Sequence, residues 1–417
     1  MCHFVPAYIL QHIAESESAP EEARQVALRT LSADQDFRQQ RVQALTSGGA
    51  PTLPEDSVPA AQTPIVSLGF VPPGILEHIA QSELLDDETR ESAKATLRSD
   101  VKIREQRAAL VGAAARDEPH QPEAASLVLR RAVYDGHNLP SLPGTVARVE
   151  GAERTRDRQV NNVYDGVGIT VKFFHTVFGR NAVDGNGRTP IVTVHHDPDT
   201  RNPLGYNNAF WNSRQFAFGD GDGIIFDYFT DSLDVVAHEL THAITEYTAK
   251  LHYVREAGGL NESISDIFGA LVEQWHFNQT AAEADWLTGQ NLFSIGIKGA
   301  ALRNIANPGT AFDDPILGRD RQIAHYSQYN DDLDVHITSG IPNRAFYLVA
   351  IGFGGYAFQK AGKIWYETLI DPRVKRPDGL TTFKEWADVT VDQATRLFGA
   401  SDAIIVRNAW VSVGVLH

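Results

Sequence analysis

His238, Glu239 and His242 stand in the run His-Glu-Leu-Thr-His, an HExxH motif. A step of four residues on a helix puts both imidazoles on one face, where their nitrogens can converge on one cation. Glu239 sits beside them, within reach of a water held by that cation, as a general base. Alone, the pentapeptide also fits two ordinary histidines and a solvated glutamate. Its flanks argue otherwise, because Leu233, Val235, Val236, Ala237 and Ile244 bury the helix and a buried polar cluster needs a partner. Zinc would be such a partner, given a third protein ligand and an open fourth position. Glu262 in GGLNESISD, twenty residues after His242, is the candidate, although a carboxylate early in a helix also suits the macrodipole. Asp266, one turn later on the same face, would accept a hydrogen bond from the distal N–H of a ligand histidine.

The surrounding elements must hold these groups. Residues 233–249 read as a long amphipathic helix with Asp234 in its first turn. Upstream, residues 160–180 have helical spacing, whereas 189–196 and 213–230 read as strands and hairpins, rich in β-branched and aromatic residues. Beyond Leu260 most segments have helical periodicity. Strands first and helices after predict an α+β body of two lobes: a β-rich lobe over 127–250 that ends in the HExxH helix, and a helical lobe over 251–417. The motif falls at their junction, where clefts form.

The front of the chain is repeated. FVPAYILQHIA at 4–14 returns as FVPPGILEHIA at 70–80, identical at eight of eleven positions and 66 residues apart. Each copy continues into a charged stretch of helical composition, and polar joints rich in Pro, Gly and Ala follow both. This predicts a first arm with its linker over 1–60 and a second arm with a cleavage joint over 61–126. Two copies are too few for a solenoid.

Composition narrows the function. Of 417 residues, 37 are Lys or Arg and 53 Asp or Glu, a net charge of −16 that argues against a nucleic-acid or anionic-membrane partner. One cysteine, Cys2, excludes an intramolecular disulfide and a zinc site built from several thiolates. No apolar run is long enough to span a membrane, and the first residues do not read as a signal peptide.

VVAHELTHAITEYTA followed by GGLNESISDIFGALVE resembles the thermolysin-like neutral metalloproteases. The resemblance extends to GYNNAFWN and FGDGDG within 205–223 and to DVHITSGIPNRAFYL at 334–348, and covers essentially 128–417. It implies that His238, His242 and Glu262 ligate zinc and that Glu239 activates water. His336 and Tyr253 would stabilise the tetrahedral oxyanion, with Asp331 orienting His336. Asn208, Ala209 and Arg303 would bind the peptide backbone, the substrate adding as a strand along 208–211. Phe226, Phe229, Val235 and Leu302 match the pocket for the residue after the cut, which implies cleavage before bulky hydrophobic residues. Asp234, Glu273 and Asp285 match carboxylates of a calcium site, but Leu287 and Gln290 replace two further acidic positions, which leaves room for one ion at most.

The two arms resemble the short propeptide of the protealysin subgroup, here present twice. The second copy adjoins the body and is expected to cover the cleft until self-cleavage, with the first as a redundant inhibitor or a docking module. Cys2-His3 is a candidate zinc ligand from the front, although a lone terminal cysteine is more often incidental. The leading expectation is a monomeric zinc endopeptidase made as a zymogen, acting on protein or peptide substrates. The alternatives are a permanently capped binding or inhibitory protein and a small-molecule hydrolase sharing HExxH. The location is expected to be outside the cell by a route without a classical signal peptide, or cytoplasmic.

Overall fold

The computed structural model describes residues 2–3, 5–32, 127, 129–188, 190–197, 206–223, 226–294, 297–314 and 317–417. The second arm therefore lies outside the described residues. Among them, one mixed sheet holds six strands: β1 (Cys2–His3), β2 (Ala132–Leu139), β3 (Thr145–Val149), β4 (Ile191–His196), β5 (Ala209–Trp211) and β6 (Phe216–Phe218). Their order is β1-β5-β6-β4-β2-β3, with parallel pairing at β6–β4 and β4–β2 and antiparallel pairing elsewhere.

Strands β5 and β6 consist of aromatic residues and alanine, all buried, as suits strands covered on both faces. Between them Asn212 Oδ1 accepts from the amides of Arg214 and Gln215, an Asx turn that reverses the chain. The stretch 213–230 is less sheet-like than expected, because β6 stops at Phe218. At Gly219 a Cβ would stand 2.0 Å from the Tyr206 carbonyl, and Gly221 has φ +73°. The glycines that looked like hairpin punctuation instead fold the chain back, and a 3-10 turn at Phe229–Asp231 delivers it to the next helix.

Helix Arg158–Phe178 packs beneath the sheet, started by Asp157, whose side chain accepts from the Gln159 and Val160 amides, and ended by Gly179 in the left-handed region. His195, at the end of β4, bridges that cap to the turn after β6: its Nε2 lies 2.9 Å from Asp157 and its Nδ1 2.8 Å from Asp220. Burial alone would lower its pKa, but the two carboxylates outweigh that and raise it to about 9. The folded protein thus holds this proton more tightly than the unfolded chain. The stabilisation is full below pH 6.5 and is lost as pH rises through about 9. Discounted for partial exposure it amounts to about 1–2 kcal/mol, or roughly 1–3 °C in Tm. A His195→Gln variant should lose that much at pH 6 and almost nothing at pH 10, which melting curves across that range would check.

The HExxH helix, Leu233–Tyr247, lies against helix Arg255–Phe277. Gly269 permits their close approach, since a Cβ there would stand 2.8 Å from the Asp234 carbonyl. Beyond them the lobe is helical: Val335–Thr338, Gly340–Phe353, Ala361–Leu369, Phe383–Phe398 and Ala400–Ser412. Thr382 and Glu385 cap the Phe383 helix reciprocally. The fold is a two-lobed α+β body, as expected. No helix among the described residues is long and apolar enough to cross a membrane.

The first arm is seated on the body, and the second lies outside the described residues. Strand β1 pairs antiparallel with β5, Cys2 opposite Trp211 and His3 opposite Phe210. Helix Ala7–Glu15 follows, with Tyr8, Ile9, Leu10 and Ile13 buried, and residues 21–32 are helical again. Val5, Ile9, Leu10 and Ile13 join the main hydrophobic cluster of the body. The expectation that the second copy covers the cleft falls on residues outside those described.

Candidate active site

Helix Leu233–Tyr247 presents His238 and His242 on one face, with their Nε2 atoms 2.9 Å apart. Helix Arg255–Phe277 brings Glu262 against them, its Oε2 lying 3.6 Å from His238 Nε2 and its Oε1 3.4 Å from His242 Nε2. All three side chains are buried. A tetrahedral zinc with bonds of about 2.0–2.1 Å has ligand–ligand edges of about 3.3 Å, the scale of this triangle.

The outer contacts set the imidazole tautomers. His242 Nδ1 lies 2.9 Å from Asn261 Oδ1 and 2.9 Å from Ser265 Oγ, and His238 Nδ1 lies 3.0 Å from Asp266 Oδ1. With both Nδ1 atoms protonated toward these acceptors, both Nε2 lone pairs face one point, and two lone pairs 2.9 Å apart repel unless a cation lies between them. Asp266 is held in turn. Arg303 donates to both of its oxygens at 2.7–3.0 Å and Asn343 Nδ2 to Oδ2 at 2.9 Å. Burial would raise the Asp266 pKa, but Arg303 and then His238 outweigh it and hold the carboxyl well below the usual range.

Glu239, also buried, points both carboxylate oxygens where no hydrogen-bond partner meets them among the described residues, and Glu262 Oε2 is in the same state. Burial first, then the neighbouring Glu262 charge, pushes the Glu239 pKa well up, with Arg303 opposing. Burial and the His238 charge push His242 down. A carboxylate resisting charge beside an imidazole resisting protonation belongs to a donor set that a divalent cation satisfies. His238, Glu239 and His242 also form the one cluster of metal-ligating groups gathered within 4.8 Å among the described residues.

Tyr253 and His336 close one side. Tyr253 Oη donates to Glu262 Oε1 at 2.5 Å and lies 3.0 Å from His336 Nε2. The carboxylate on His336 is Asp334, not Asp331. Asp334 Oδ1 accepts from the His336 amide at 2.9 Å and lies 2.7 Å from its Nδ1, so it caps the short Val335–Thr338 helix and sets the ring at once. Asp331 instead accepts from Tyr329 Oη at 2.8 Å and lies 3.4 Å from Arg255 Nε, out on the surface.

On the opposite wall Asn208 Oδ1 accepts from the Val5 amide at 3.0 Å and from the Ala209 amide at 3.0 Å. Phe226, Phe229, Val235 and Leu302 are all fully buried in the main hydrophobic cluster. Arg303, expected on the peptide backbone, is fully buried and spends its guanidinium on Asp266. Sequence reasoning missed Asn261, Ser265, Asn343 and Asp334. The first two stand four apart on the Glu262 helix, and Asp334 is an N-cap two residues before a histidine, signals that spacing rules could have found.

The three carboxylates matched to calcium are neighbours. Burial, then Asp234 and Asp285, raises Glu273 to about 8. Asp234 Oδ2 accepts from the Gly289 amide at 2.6 Å, while its Oδ1 accepts from Ser232 and the Val235 amide.

Comparison with known proteins agrees with this geometry. The thermolysin metallopeptidase catalytic domain matches residues 143–246 and the thermolysin metallopeptidase alpha-helical domain residues 249–415. An extracellular metalloprotease of Pectobacterium carotovorum subsp. carotovorum is 43% identical over 356 residues, which is 84% of this chain and 97% of that protein. Protease PrtS of Photorhabdus sp. (strain Az29) is 44% identical over 299 residues, 70% of this chain and 78% of that protein. Among solved structures, the precursor of protealysin, a metalloproteinase from Serratia proteamaculans, is similar with a TM-score of 0.66 at 42% identity, covering 83% of this chain and 98% of that one. The chain belongs to the thermolysin metallopeptidase family and is a protealysin-like zinc metalloendopeptidase with an N-terminal propeptide.

Proposed function

We propose that the enzyme cuts polypeptides before bulky hydrophobic residues and is made as a monomeric zymogen that removes its own arms. The observation that carries this reading is the antiparallel pairing of β1 with β5, with the Val5 amide on Asn208. An extended substrate would use the same sheet edge and the same side chain. A chain segment seated there excludes substrate until it is cut away. The rival reading, a permanently capped binding protein, gives no reason for Glu239 to keep two unpartnered oxygens.

In the open enzyme His238, His242 and Glu262 would hold the zinc, which supplies a Lewis acid for the scissile carbonyl and for water at neutral pH. Glu239 takes the proton of the attacking water and passes it to the departing amine. Tyr253 Oη and His336 Nε2, 3.0 Å apart, donate to the oxygen that gains charge. Asp334, accepting at Nδ1, favours the doubly protonated ring whose Nε2 can donate, so an Asp334→Ala variant should lose about 10- to 100-fold in kcat with KM little changed, read from steady-state kinetics of the trimmed enzyme. We also propose one calcium ion among Asp234, Glu273 and Asp285, relieving the crowding that raises Glu273. Action outside the cell follows the name of the Pectobacterium relative.

Phe226, Phe229, Val235 and Leu302 would receive the residue after the cut. Digestion of casein with the trimmed enzyme, sequenced by mass spectrometry, should give new N-termini that begin mostly with Leu, Ile, Val or Phe, and a zinc chelator should abolish them. N-termini spread evenly over residue types would sink the specificity, and cutting that survives the chelator would sink the zinc.

A further inference from the structure

We propose that the seat held by the first arm is a two-occupant site: once the first copy leaves, the second copy, residues 70–80, docks in the same groove and keeps the enzyme latent. This rests on the reading that arm occupancy blocks substrate.

The groove is defined by what the first copy buries. Val5, Ile9, Leu10 and Ile13 are buried side chains of that copy, and the second copy repeats them as Val71, Ile75, Leu76 and Ile79. Pro6, at the helix N-cap, returns as Pro72. The three differences fall where the structure can bear them. Gln11 is exposed, so Glu77 would remain in water. Ala7 is the first helical residue, where the proline of Pro73 is welcome. Tyr8 is the costly one: its phenol reaches Asp320 Oδ1 and accepts from the Arg321 amide, both at 3.4 Å, and Gly74 has nothing to put there. The second copy should therefore hold the groove less tightly, on the order of a hundredfold.

Tethering restores what affinity loses. Residues 81–126 join the second copy to the body, a span of at most about 150 Å when fully extended, so that copy stays at high effective concentration. A cut in the linker at 46–64 turns the first copy into a free peptide but leaves the second attached. Only a cut in the joint at 111–126 removes both. The duplication thus converts a single activating cut into a sequence in which the linker cut is silent.

Hydrogen exchange on the full chain tests this, with Glu239→Gln in all variants so that the arms stay on. Val5→Asp with Ile9→Asp expels the first copy, Val71→Asp with Ile75→Asp disables the second, and the quadruple variant lacks both. Those amides of 208–211 that face the arm and not β6 should remain protected in the first pair, though about a hundredfold less than without it, stay fully protected in the second pair and exchange freely in the quadruple. Exchange in the remote Gly340–Phe353 helix reports whether each variant is folded, and Val5→Ala with Tyr8→Ala is the milder first-copy variant if it is not. Exchange in the first-copy variant as fast as in the quadruple would overturn the proposal, as would continued protection of those arm-facing amides in the quadruple. With native Glu239, an intermediate that begins within 46–64 should be silent on casein and a product that begins within 111–127 active. An active intermediate would overturn the two-occupant site. A fully trimmed chain that cuts nothing would instead sink the endopeptidase specificity of the preceding section and leave the exchange result standing.

Discussion

Glu239→Gln should reduce kcat by about 10³-fold, within the 10²–10⁴ that a positioned general base supplies, with peptide affinity nearly unchanged. The substitution keeps the volume of a buried side chain and removes only its ability to take a proton. Because no described group bonds to either Glu239 oxygen, no structural hydrogen bond is lost. Burial and the Glu262 charge already push its pKa up, so removing the charge relieves a strain. Stability should be equal to or above that of the parent protein. The full chain should also stop trimming itself, leaving one intact species on mass spectrometry. Kinetics after both proteins are trimmed by the same added protease would check the rate. A variant keeping more than a tenth of the parent rate would remove Glu239 from the chemistry.

Asp266→Ala should have the largest effect on stability and a separate effect on the metal. Arg303, fully buried, would lose the carboxylate it binds, a loss of about 3–5 kcal/mol and a Tm lower by roughly 4–8 °C. His238 would lose the carboxylate 3.0 Å from its Nδ1, which should weaken zinc binding about 10- to 100-fold. The two effects can be parted. Adding Arg303→Met removes the buried charge, so the double variant should recover most of the Tm but not the zinc affinity. Melting curves and competition with a zinc chelator read the two quantities. Zinc affinity recovering together with Tm would mean that Asp266 acts only through packing.

How far these residues were legible in the chain depended on how local their signals are. The zinc-facing groups sit on two helices, and a helical step of four converts spacing directly into shared faces, so His238, Glu239, His242, Glu262 and Asp266 meet where the pattern put them. Asp334 was missed because two carboxylates, Asp331 and Asp334, precede His336, and only the turn that makes Asp334 an N-cap decides which one reaches the ring. The stretch 213–230 misled because aromatic and glycine-rich sequence suits a hairpin and a folded-back loop equally. It was Gly219, pressed against the Tyr206 carbonyl, that decided. The seat of the first arm was not a local signal at all. The same apolar residues occur in both copies of the repeat, and the first adds a phenol, Tyr8, that meets Asp320 and Arg321 about 312 residues away in sequence.

Two imidazoles and the Glu262 carboxylate are expected to bind one zinc ion. Elemental analysis of the intact Glu239→Gln chain reads this out, since that variant keeps its ligands and does not digest itself. One zinc per chain is predicted, falling to near zero when His238→Ala and His242→Ala are added. A folded chain without metal, or zinc retained at full stoichiometry after both histidines are gone, would show that these groups do not hold it.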